Sequence, residues 1–479
     1  MSSQAKNPMH KILSPSLFAL NPLDGRYEND VKDLRAYFSE AAFILYRIRV
    51  ELHWFLHTSK VLDGVLSYPT KISQESEKNL LRWMDSLVMS SDIIQDVKVR
   101  EAQTQHDVKA IEYALADHLK KIGYAENHLS LLHFGCTSED INNLAYSLML
   151  RDALTKVVKP NLKKFLQKLA QKASDYAAVP MLGRTHGQAA TPTSVGKELA
   201  IFAHRWSQIY RRLDVLKLLG KFNGSVGNYN ALTFCFPQIN WEKEGQNFVE
   251  KTLGLTWNPL TTQIESHDAV VELSAILAHS SALGIAFCRD MWSYISLGYF
   301  KQDRGSDQEI GSSVMPHKIN PKDFENAEAN FGLCSALAQH FQSKLPISRW
   351  QRDLSDSSTL RNLGLMFGYC ELAMMSMGKG FARLALNESR LNEDLEASWE
   401  VLAEPLQTLL RSYGDVHAYE KLKSLSRGKK FDKSAFDSLI ALLPIQEADK
   451  VRLQALSPLT YLGLAPSLAR TCLQELENL

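Results

Sequence analysis

The chain has 479 residues, and its 54 lysines and arginines nearly balance its 53 aspartates and glutamates. A chain of this length exceeds what one hydrophobic core usually supports, so we expect two or three domains. The near-zero net charge and the lack of a long basic run argue against a nucleic-acid-binding surface, so attraction for an anionic ligand must be local.

Cysteine usage and hydropathy both indicate a cytoplasmic protein. The six cysteines include no C-x-x-C pair, so we expect buried, reduced thiols rather than a disulfide framework or a zinc site. Residues 1–20 lack the apolar segment of a secretory signal. The apolar run from Leu273 to Cys288 is too short to cross a bilayer. We therefore expect a soluble protein with no membrane partner.

Residues 1–127 are predicted to form a first, mostly helical domain. The segment from Asn21 to Tyr27 has turn chemistry throughout. After it, apolar residues recur at steps of three and four from Leu34 to Phe55, which is typical of one helix face. Ile72 to Met89 and Val108 to Leu119 are further predicted helices.

Residues 128–381 are predicted to form a central domain of long helices. One runs from Ile141 to about Tyr176, and the apolar positions between Val195 and Leu216 repeat close to every 3.5 residues, which gives a continuous seam for a partner helix. The segment from His267 to Phe300 is apolar on most sides and must be buried. Because one subunit would struggle to bury so many long helices, we expect a bundle that associates with copies of itself.

Residues 382–479 are predicted to form a third, smaller helical domain, because the helices become shorter and more charged there. The basic turn Arg427-Gly428-Lys429-Lys430 lies inside this segment. Few stretches of the chain have the alternating pattern of strands, so the sequence as a whole predicts an all-α protein.

Two polar stretches lie where helices are predicted to begin. They are Gln105-His106-Asp107-Val108 and the segment from Gly135 to Asn143, which contains Thr137-Ser138-Glu139-Asp140. Hydroxyl or carboxylate residues before an apolar run are ordinary helix caps. The same hydroxyls and free backbone N–H groups also form an anion site, and both interpretations remain open from the residues alone.

Two further stretches have equally open interpretations. In Gly183-Arg184-Thr185-His186-Gly187 the flanking glycines favour exposure of the imidazole. The segment from Ser348 to Arg361 carries three arginines and several hydroxyls. Guanidinium groups bind carboxylate and phosphate in a bidentate manner, but an exposed charged turn has the same composition.

The densest polar stretch is the loop from Gly311 to Pro321, with the sequence Gly-Ser-Ser-Val-Met-Pro-His-Lys-Ile-Asn-Pro. Pro316 and Pro321 exclude helix interior, whereas Gly305 and Gly311 allow motion before it. No set of carboxylates and histidines has metal-ligand spacing, and neither a hydrolase G-x-S-x-G elbow nor a phosphate-binding glycine loop is present. The remaining residues fit cofactor-free acid–base chemistry on a polyanion.

The pattern S-S-x-M-P-x-K-x-N-P in this loop resembles the signature loop of the fumarase/aspartase superfamily. Within it, the chain is most similar to adenylosuccinate lyases, whose motifs occur in the same order. These motifs are Asp24-Gly25-Arg26-Tyr27, His106-Asp107-Val108, Thr137-Ser138-Glu139-Asp140, Thr185-His186-Gly187-Gln188, Thr262-Gln263-Ile264-Glu265, the loop itself and Arg349-Trp350-Gln351-Arg352-Asp353. Fumarases and aspartases carry glycine where this chain has His317, and argininosuccinate lyases resemble it less outside the loop.

The resemblance implies the three-domain fumarase/aspartase-like fold, with a central long-helix bundle that forms the core of a homotetramer. It also implies β-elimination of fumarate from adenylosuccinate and from a succinyl-aminoimidazole ribotide, SAICAR, without a cofactor. Each active site is expected to draw on three subunits. Another lyase of the superfamily is the alternative enzyme, and a non-catalytic helical tetramer is the alternative from a different class.

The resemblance further implies roles for individual residues. Ser312 is the expected general base and His186 the expected general acid, while His106 binds phosphate or assists His186. The residues expected to hold the succinyl carboxylate are Lys318, Asn320, Thr137 and Ser138. Those expected to hold phosphate and ribose are Arg26, Tyr27, Arg352, Ser357 and Arg361. Gln263 contacts the base or the succinyl group, and Glu325 orients His186. The remaining expected substrate-binding residues are Gln105, Asp107, Ser313, Asn326 and Arg349.

Overall fold

The computed structural model describes residues 15–303, 315, 318–426 and 432–477. The basic turn at residues 427–430 and most of the signature loop, including Ser312, Ser313 and His317, lie outside the described residues. In the described part helices dominate and the strands are short, which agrees with the all-α prediction.

The helices of the first part of the chain confirm the predicted apolar periodicities. The bounds are α1 (Arg35–Phe38), α2 (Glu40–Val61), α3 (Gln74–Ser86), α4 (Asp92–Thr104), α5 (Asp107–Lys121) and α6 (Glu126–Leu129). The long predicted face beginning at Leu34 is interrupted once, because Ser39 adopts an extended conformation and its hydroxyl accepts the backbone N–H of Ala42 as the N-cap of α2.

The longest helices lie in the middle of the chain, as predicted. They and their shorter neighbours are α7 (Ser138–Ala153), α8 (Lys159–Asp175), α9 (Val195–Val215), α10 (Asn230–Cys235), α11 (Trp241–Asn247), α12 (Asp268–Ser296), α13 (Lys322–Lys344), α14 (Ser355–Leu360) and α15 (Leu363–Ala382). A π-helical turn, Leu154–Val158, joins α7 to α8, and a second one, Phe248–Thr252, follows α11.

Shorter helices and three small sheets complete the described part. The helices are α16 (Glu388–Glu396), α17 (Ala403–Ser412), α18 (Ala418–Ser426), α19 (Lys433–Leu442), α20 (Glu447–Gln454) and α21 (Ala465–Glu477). The paired strands are β1 (Pro180–Thr185) with β2 (Gln188–Ser194), β3 (Leu219–Gly220) with β4 (Thr256–Trp257), and β5 (Phe300–Gln302) with β6 (Leu384–Leu386). The β3–β4 pair is parallel, whereas the other two pairs are antiparallel.

The apolar helix α12 lies within the predicted segment from His267 to Phe300. With 29 residues it could cross a membrane by length and composition alone, whereas the apolar run from Leu273 to Cys288 is too short to do so. Its most apolar window has a mean hydropathy of 1.6, and 56% of that window is buried inside the protein. The core helix of a soluble protein has the same properties, so α12 is weak grounds for a membrane span.

By the contacts between its residues, the chain divides into two compact units. One unit contains the residues up to Pro160, Arg212–Ala282 and Ala329–Met375. The other contains Asn161–Arg211, Leu283–Glu328 and the residues from Ser376 onward. Here they are called the first and second units. The division at residues 127 and 381 is of another kind and stays a prediction.

Each unit has its own aromatic core. In the first, the fully buried Trp54 of α2 lies with its ring 4.0 Å from that of Phe222 and donates its indole N–H to the carbonyl of Phe134 at 2.9 Å. In the second, the ring of Phe287 lies 5.7 Å from Trp206 and 5.6 Å from Phe381. Rings at these separations contribute to stability beyond the area they bury.

Candidate active site

In the first unit, the carboxylate of Asp107 at the start of α5 holds two arginines. Its Oδ2 atom lies 2.6 Å from the Nη2 atom of Arg47 and 3.1 Å from that of Arg361. Arg47 is only 1% exposed, donates from Nε to Asn142 at 2.8 Å, and stacks over the ring of Phe43 at 3.6 Å. Asp107, Asn142 and Phe43 therefore contact this buried guanidinium from three directions, while its Nη1 atom is buried without a hydrogen-bond partner among the described residues.

The environment of Asp107 keeps its carboxylate ionised. Burial alone raises the pKa of Asp107, but Arg47, the backbone N–H of Val108 and Arg361 lower it by more, so the net pKa lies below its ordinary value. Arg361 has a second acidic partner, since its Nη1 atom lies 3.0 Å from Glu40. The structure thus pairs Arg361 with two carboxylates and orients its guanidinium.

The residues just before α5 expose an imidazole. Gln105 has a left-handed backbone with a φ of 53° and ends α4. His106 then caps α5, because its Nδ1 atom accepts the backbone N–H of Lys109 at 3.1 Å. Since Nδ1 is an acceptor in this bond, the proton of the neutral ring lies on the exposed Nε2 side. His106 can therefore present an N–H donor to a ligand.

Thr137 and Ser138 lie at the start of α7, where backbone N–H groups lack helical partners. The backbone N–H of Thr137 donates to the carboxylate of Asp140 at 2.8 Å, which is half of a capping box. Both hydroxyl residues are half-buried. This arrangement is suited to a carboxylate ligand, because a helix N-terminus attracts negative charge.

Arg352 connects the arginine-rich segment to the same helix start. Its Nη1 atom lies 2.9 Å from Glu139 and 3.3 Å from the amide oxygen of Gln263. Its Nη2 atom lies 4.0 Å from Asp356, which in turn lies 3.3 Å from the Nε2 atom of the buried His267. The guanidinium is thus surrounded by oxygen atoms before any ligand binds.

Four other expected substrate-binding residues of the first unit, Arg26, Tyr27, Arg349 and Ser357, lie nearer to solvent. The guanidinium of Arg26 lies 5.8 Å from the ring of Tyr27. Arg349 is largely exposed and lies 3.7 Å from Asp353 in an i, i+4 pair. Ser357 is half-buried within α14. These side chains are available to an anion at the surface.

In the second unit, His186 lies at the tip of the β1–β2 hairpin. The pairing of Thr185 with Gln188 leaves a two-residue loop in which His186 and Gly187 both have positive φ, of 53° and 75°. Two such residues form the turn that matches the twist of a hairpin. His186 is exposed, which confirms the exposure that its flanking glycines indicate.

Hydrogen bonds among three side chains hold this hairpin in place. The Nη2 atom of Arg184 lies 2.6 Å from Asp394 and 3.1 Å from the hydroxyl of Tyr299, which itself donates to Asp394 at 2.7 Å. Burial, followed by the hydrogen bond to Asp394, raises the pKa of Tyr299 to about 12. This triangle fixes the strand that carries His186.

The described end of the signature loop leads into α13. The backbone N–H of Lys318 donates to Met315 at 3.0 Å, and the Lys318 side chain is exposed, while Asn320 is half-buried. Glu325 accepts the indole N–H of Trp292 at 3.3 Å and shares no hydrogen bond with His186 in this described chain. Asn326 accepts the hydroxyl of Ser376 at 2.8 Å. An orienting role of Glu325 toward His186 stays a prediction.

Comparisons with known proteins cover nearly the whole chain. The model of the family described as "Lyase" matches residues 25–336, and that described as "Adenylosuccinate lyase C-terminal" matches residues 348–462. The adenylosuccinate lyase of Buchnera aphidicola subsp. Acyrthosiphon pisum is 45% identical over 94% of this chain and 97% of its own length. Those of Haemophilus influenzae and Escherichia coli K12 are each 44% identical over at least 94% of this chain and 97% of theirs. The chain belongs to the adenylosuccinate lyase family.

Solved structures confirm the predicted fumarase/aspartase-like fold. The crystal structure of fumarate lyase from Mesorhizobium sp. BNC1 aligns with a TM-score of 0.74 at 19% identity, over 92% of this chain and 97% of that one. The 3-carboxy-cis,cis-muconate lactonizing enzyme from Pseudomonas putida aligns with a TM-score of 0.72 at 20% identity, over 96% and 99%. At such low identity the likeness establishes the fold and not the reaction.

Two features of this family member's site were missed by sequence reasoning. Arg47 lies in a helix interior, where its charge gives no hint that it pairs with Asp107. Glu139 and Asp140 were explained as ordinary residues of a helix start, yet both are buried. The one sequence signal for the partner of Asp140 is Lys221, which is followed by a long uncharged segment. In the described residues no group of three histidines, cysteines or carboxylates could hold a metal ion.

Proposed function

We propose that this chain cleaves adenylosuccinate to AMP and fumarate, and SAICAR to AICAR and fumarate. The observation that carries the proposal is the 44–45% identity, over nearly full length, to relatives named adenylosuccinate lyase. The match to the family's C-terminal model supports it independently, because residues 348–462 include Arg349, Arg352, Ser357 and Arg361.

The reaction removes a proton from a carbon next to a carboxylate, so negative charge accumulates on that carboxylate as an aci-anion. The enzyme must hold this charge with donors that are already in place, while an acid protonates the departing nitrogen. Thr137 and Ser138 at the N-terminus of α7 suit that task, and Lys318 and Asn320 complete the proposed carboxylate pocket.

In the proposal Ser312 is the general base. A serine hydroxyl gives up its proton less readily than tyrosine, whose pKa is about 10, so the loop must help. Backbone N–H groups around Ser313 and the ammonium of Lys318 are the proposed sources of that help. His186 is the general acid, because its imidazole can donate a proton and the hairpin exposes it. Glu325 is retained as the residue that orients His186.

The nucleotide part of the substrate is proposed to lie against the arginine-rich surface. Arg26, Tyr27, Ser357 and Arg361 hold phosphate and ribose together with Arg352. His106 donates to phosphate from its exposed side, or assists His186. Gln263 contacts the base or the succinyl group. The remaining proposed contacts are Gln105, Asp107, Asn326 and Arg349. Glu139 already orients Arg352, and Glu40 and Asp107 already orient Arg361.

We further propose a cytoplasmic homotetramer with shared active sites and no cofactor. The long apolar helices α12 and α15 support assembly, since small and apolar residues on several sides need partners. A site composed from several subunits also explains why the proposed residues come from widely separated segments of the chain.

The direct test offers the purified protein adenylosuccinate, SAICAR and argininosuccinate in parallel. We expect fumarate from the first two, in amounts equal to AMP and AICAR, and none from the third. Absorbance follows the reaction, and NMR of fumarate identifies the product. Fumarate from argininosuccinate alone would assign the chain to the alternative lyase, and no fumarate from any of them would favour a non-catalytic tetramer.

A further inference from the structure

The first turn of α7 carries two consecutive acidic residues that are both buried. Glu139 is 4% exposed and Asp140 is fully buried. Acidic residues near a helix N-terminus usually face water and interact weakly with the helix dipole. Buried carboxylates instead require partners, because an unpaired charge in the interior is costly. The partners of Glu139 and Asp140 therefore indicate what these two carboxylates do.

Asp140 is surrounded entirely by donors. Its Oδ1 atom lies 2.9 Å from the Nζ atom of Lys221 and accepts the backbone N–H of Asn223 at 3.0 Å. Its Oδ2 atom accepts the backbone N–H of Thr137 at 2.8 Å and that of Gly224 at 3.1 Å. Lys221 is also fully buried, and it donates to the carbonyl of Gly224 at 3.1 Å. One carboxylate therefore ties two segments of backbone together.

Asn143, one helical turn further along α7, fixes the same connection. Its Oδ1 atom accepts the backbone N–H of Lys221 at 2.8 Å, and its Nδ2 atom donates to the Lys221 carbonyl at 3.1 Å. Paired side-chain and backbone bonds of this kind leave the 221–225 segment a single position relative to α7.

These contacts close into a ring. The carbonyl of Ser225 accepts the amide of Gln263 at 2.9 Å, and the Gln263 amide oxygen accepts from Arg352 at 3.3 Å. Arg352 lies 2.9 Å from Glu139, which returns the ring to the first turn of α7. Asp140 and Glu139 thus anchor the two ends of one hydrogen-bonded circuit.

We propose that Asp140 and Lys221 are the positioning pair of the succinyl-carboxylate pocket, an inference that rests on the proposed function. Thr137 and Ser138 can attract a dicarboxylate only if the acidic residues beside them are neutralised. Lys221 neutralises Asp140, and Arg352 neutralises Glu139. The pair therefore fixes the Thr137 backbone and also preserves the positive end of the helix.

The test uses the double variant Asp140→Asn/Lys221→Met. Replacing both partners of a buried ion pair often changes the free energy of unfolding little, whereas removing one partner lowers it strongly. The single Lys221→Met variant is therefore expected to unfold at a lower denaturant concentration than the double variant. In the double variant one carboxylate oxygen becomes an amide N–H donor. The remaining oxygen cannot accept at once from Thr137 and Gly224 on one side and from Asn223 on the other. We expect the dissociation constant of fumarate to rise by roughly tenfold or more, the usual effect of losing a hydrogen bond to a charged group.

The nucleotide contacts serve as an internal control. Arg352 and Gln263 belong to the ring, but Arg361 is held outside it by Glu40 and Asp107. The dissociation constant of AMP should therefore rise by a smaller factor than that of fumarate. The matched control variant is Asp152→Asn, since Asp152 is a buried acid of the same helix that accepts from Tyr46 at 2.9 Å and lies outside the ring. It should leave both dissociation constants unchanged.

A measurement that does not depend on activity separates this inference from the proposed function. Hydrogen–deuterium exchange of the peptide that contains Thr137 should accelerate in the double variant and not in Asp152→Asn. Unchanged exchange, or fumarate binding within about threefold of wild type, overturns the positioning role. If the wild-type chain fails to cleave adenylosuccinate, only the proposed function is contradicted. The exchange result still tests whether Asp140 and Lys221 position the Thr137 backbone.

Discussion

Replacement of Asp107 by asparagine is expected to lower the free energy of unfolding of the protein without ligand. The substitution keeps the shape of the side chain and one acceptor oxygen but removes the charge that Arg47 and Arg361 share. Arg47 is 1% exposed, so its guanidinium cannot turn to water once the carboxylate is lost.

The magnitude follows from how each arginine is held. Removing one partner of a buried ion pair costs about 3–5 kcal/mol. Arg47 keeps its bond to Asn142 and its contact with Phe43, which favours the lower end of that range. Arg361 is 39% exposed and keeps Glu40, so its loss is below about 1 kcal/mol. The total is about 3 kcal/mol, most of it from Arg47.

The assay is denaturant unfolding at fixed protein concentration, since assembly makes apparent stability depend on concentration. The matched control is Asp96→Asn, which removes an exposed partner 2.9 Å from Arg100 and should cost no more than about 0.5 kcal/mol. Because the folded pKa of Asp107 is lowered, its contribution is present above the unfolded pKa, about 3.9, and is lost as pH falls through the folded value.

The difference in free energy of unfolding between wild type and Asp107→Asn should therefore be largest at pH 7 and should decrease at acid pH. If the two proteins unfold within about 1 kcal/mol of each other at pH 7, the interpretation of Arg47 as a buried charge that depends on Asp107 is wrong. If the difference in free energy of unfolding is the same at acid pH, the loss of stability comes from altered packing and not from the lost charge.

Three further substitutions test other parts of the structure. Glu51→Gln removes the negative charge of the carboxylate whose Oε1 atom lies 2.7 Å from the Nδ1 atom of His133. Burial lowers the pKa of His133, but Glu51, Glu112 and Asp140 together raise it by more. The cost of the substitution, about 1–3 kcal/mol at pH 6, should shrink as pH rises through the folded pKa of His133, and a cost that grows with pH refutes this reasoning. Ser312→Ala should abolish fumarate release while substrate still binds, and an active variant would exclude Ser312 as the base. Gly227→Ala should lower the melting temperature markedly, because Gly227 has a φ of 84° and a Cβ atom there would overlap the Thr261 carbonyl oxygen; a melting temperature equal to that of wild type contradicts this.

Much of the fold could be predicted because helix periodicity is local. The apolar spacings placed α9 and α12 within a few residues of their observed bounds, and the predicted face from Leu34 to Phe55 covers α1 and most of α2. The π-helical turn Leu154–Val158 could not be predicted, since its residues fit an ordinary helix equally well. The same holds for the hairpin that carries His186, because its strands β1 and β2 lack a clear alternation.

The contacts between residues far apart in the chain could not be predicted from the sequence. Arg47 and Asp107 are 60 residues apart, and Asp140 meets the backbone of Asn223 across 83 residues. Such pairings depend on how the helices pack, which no spacing in the chain reports. The candidate site residues themselves were found by resemblance, whereas the residues that hold them in place came from the structure.

The central claim is that Ser312 of one subunit acts with His186 of another. Mixing Ser312→Ala and His186→Gln proteins, after dissociation and reassembly, tests it most directly. Each variant alone should be inactive, and hybrids should regain up to about a quarter of wild-type activity, because random assembly returns both side chains to that share of sites. If reassembled hybrids bind AMP as wild type does and still release no fumarate, the shared-site account is contradicted.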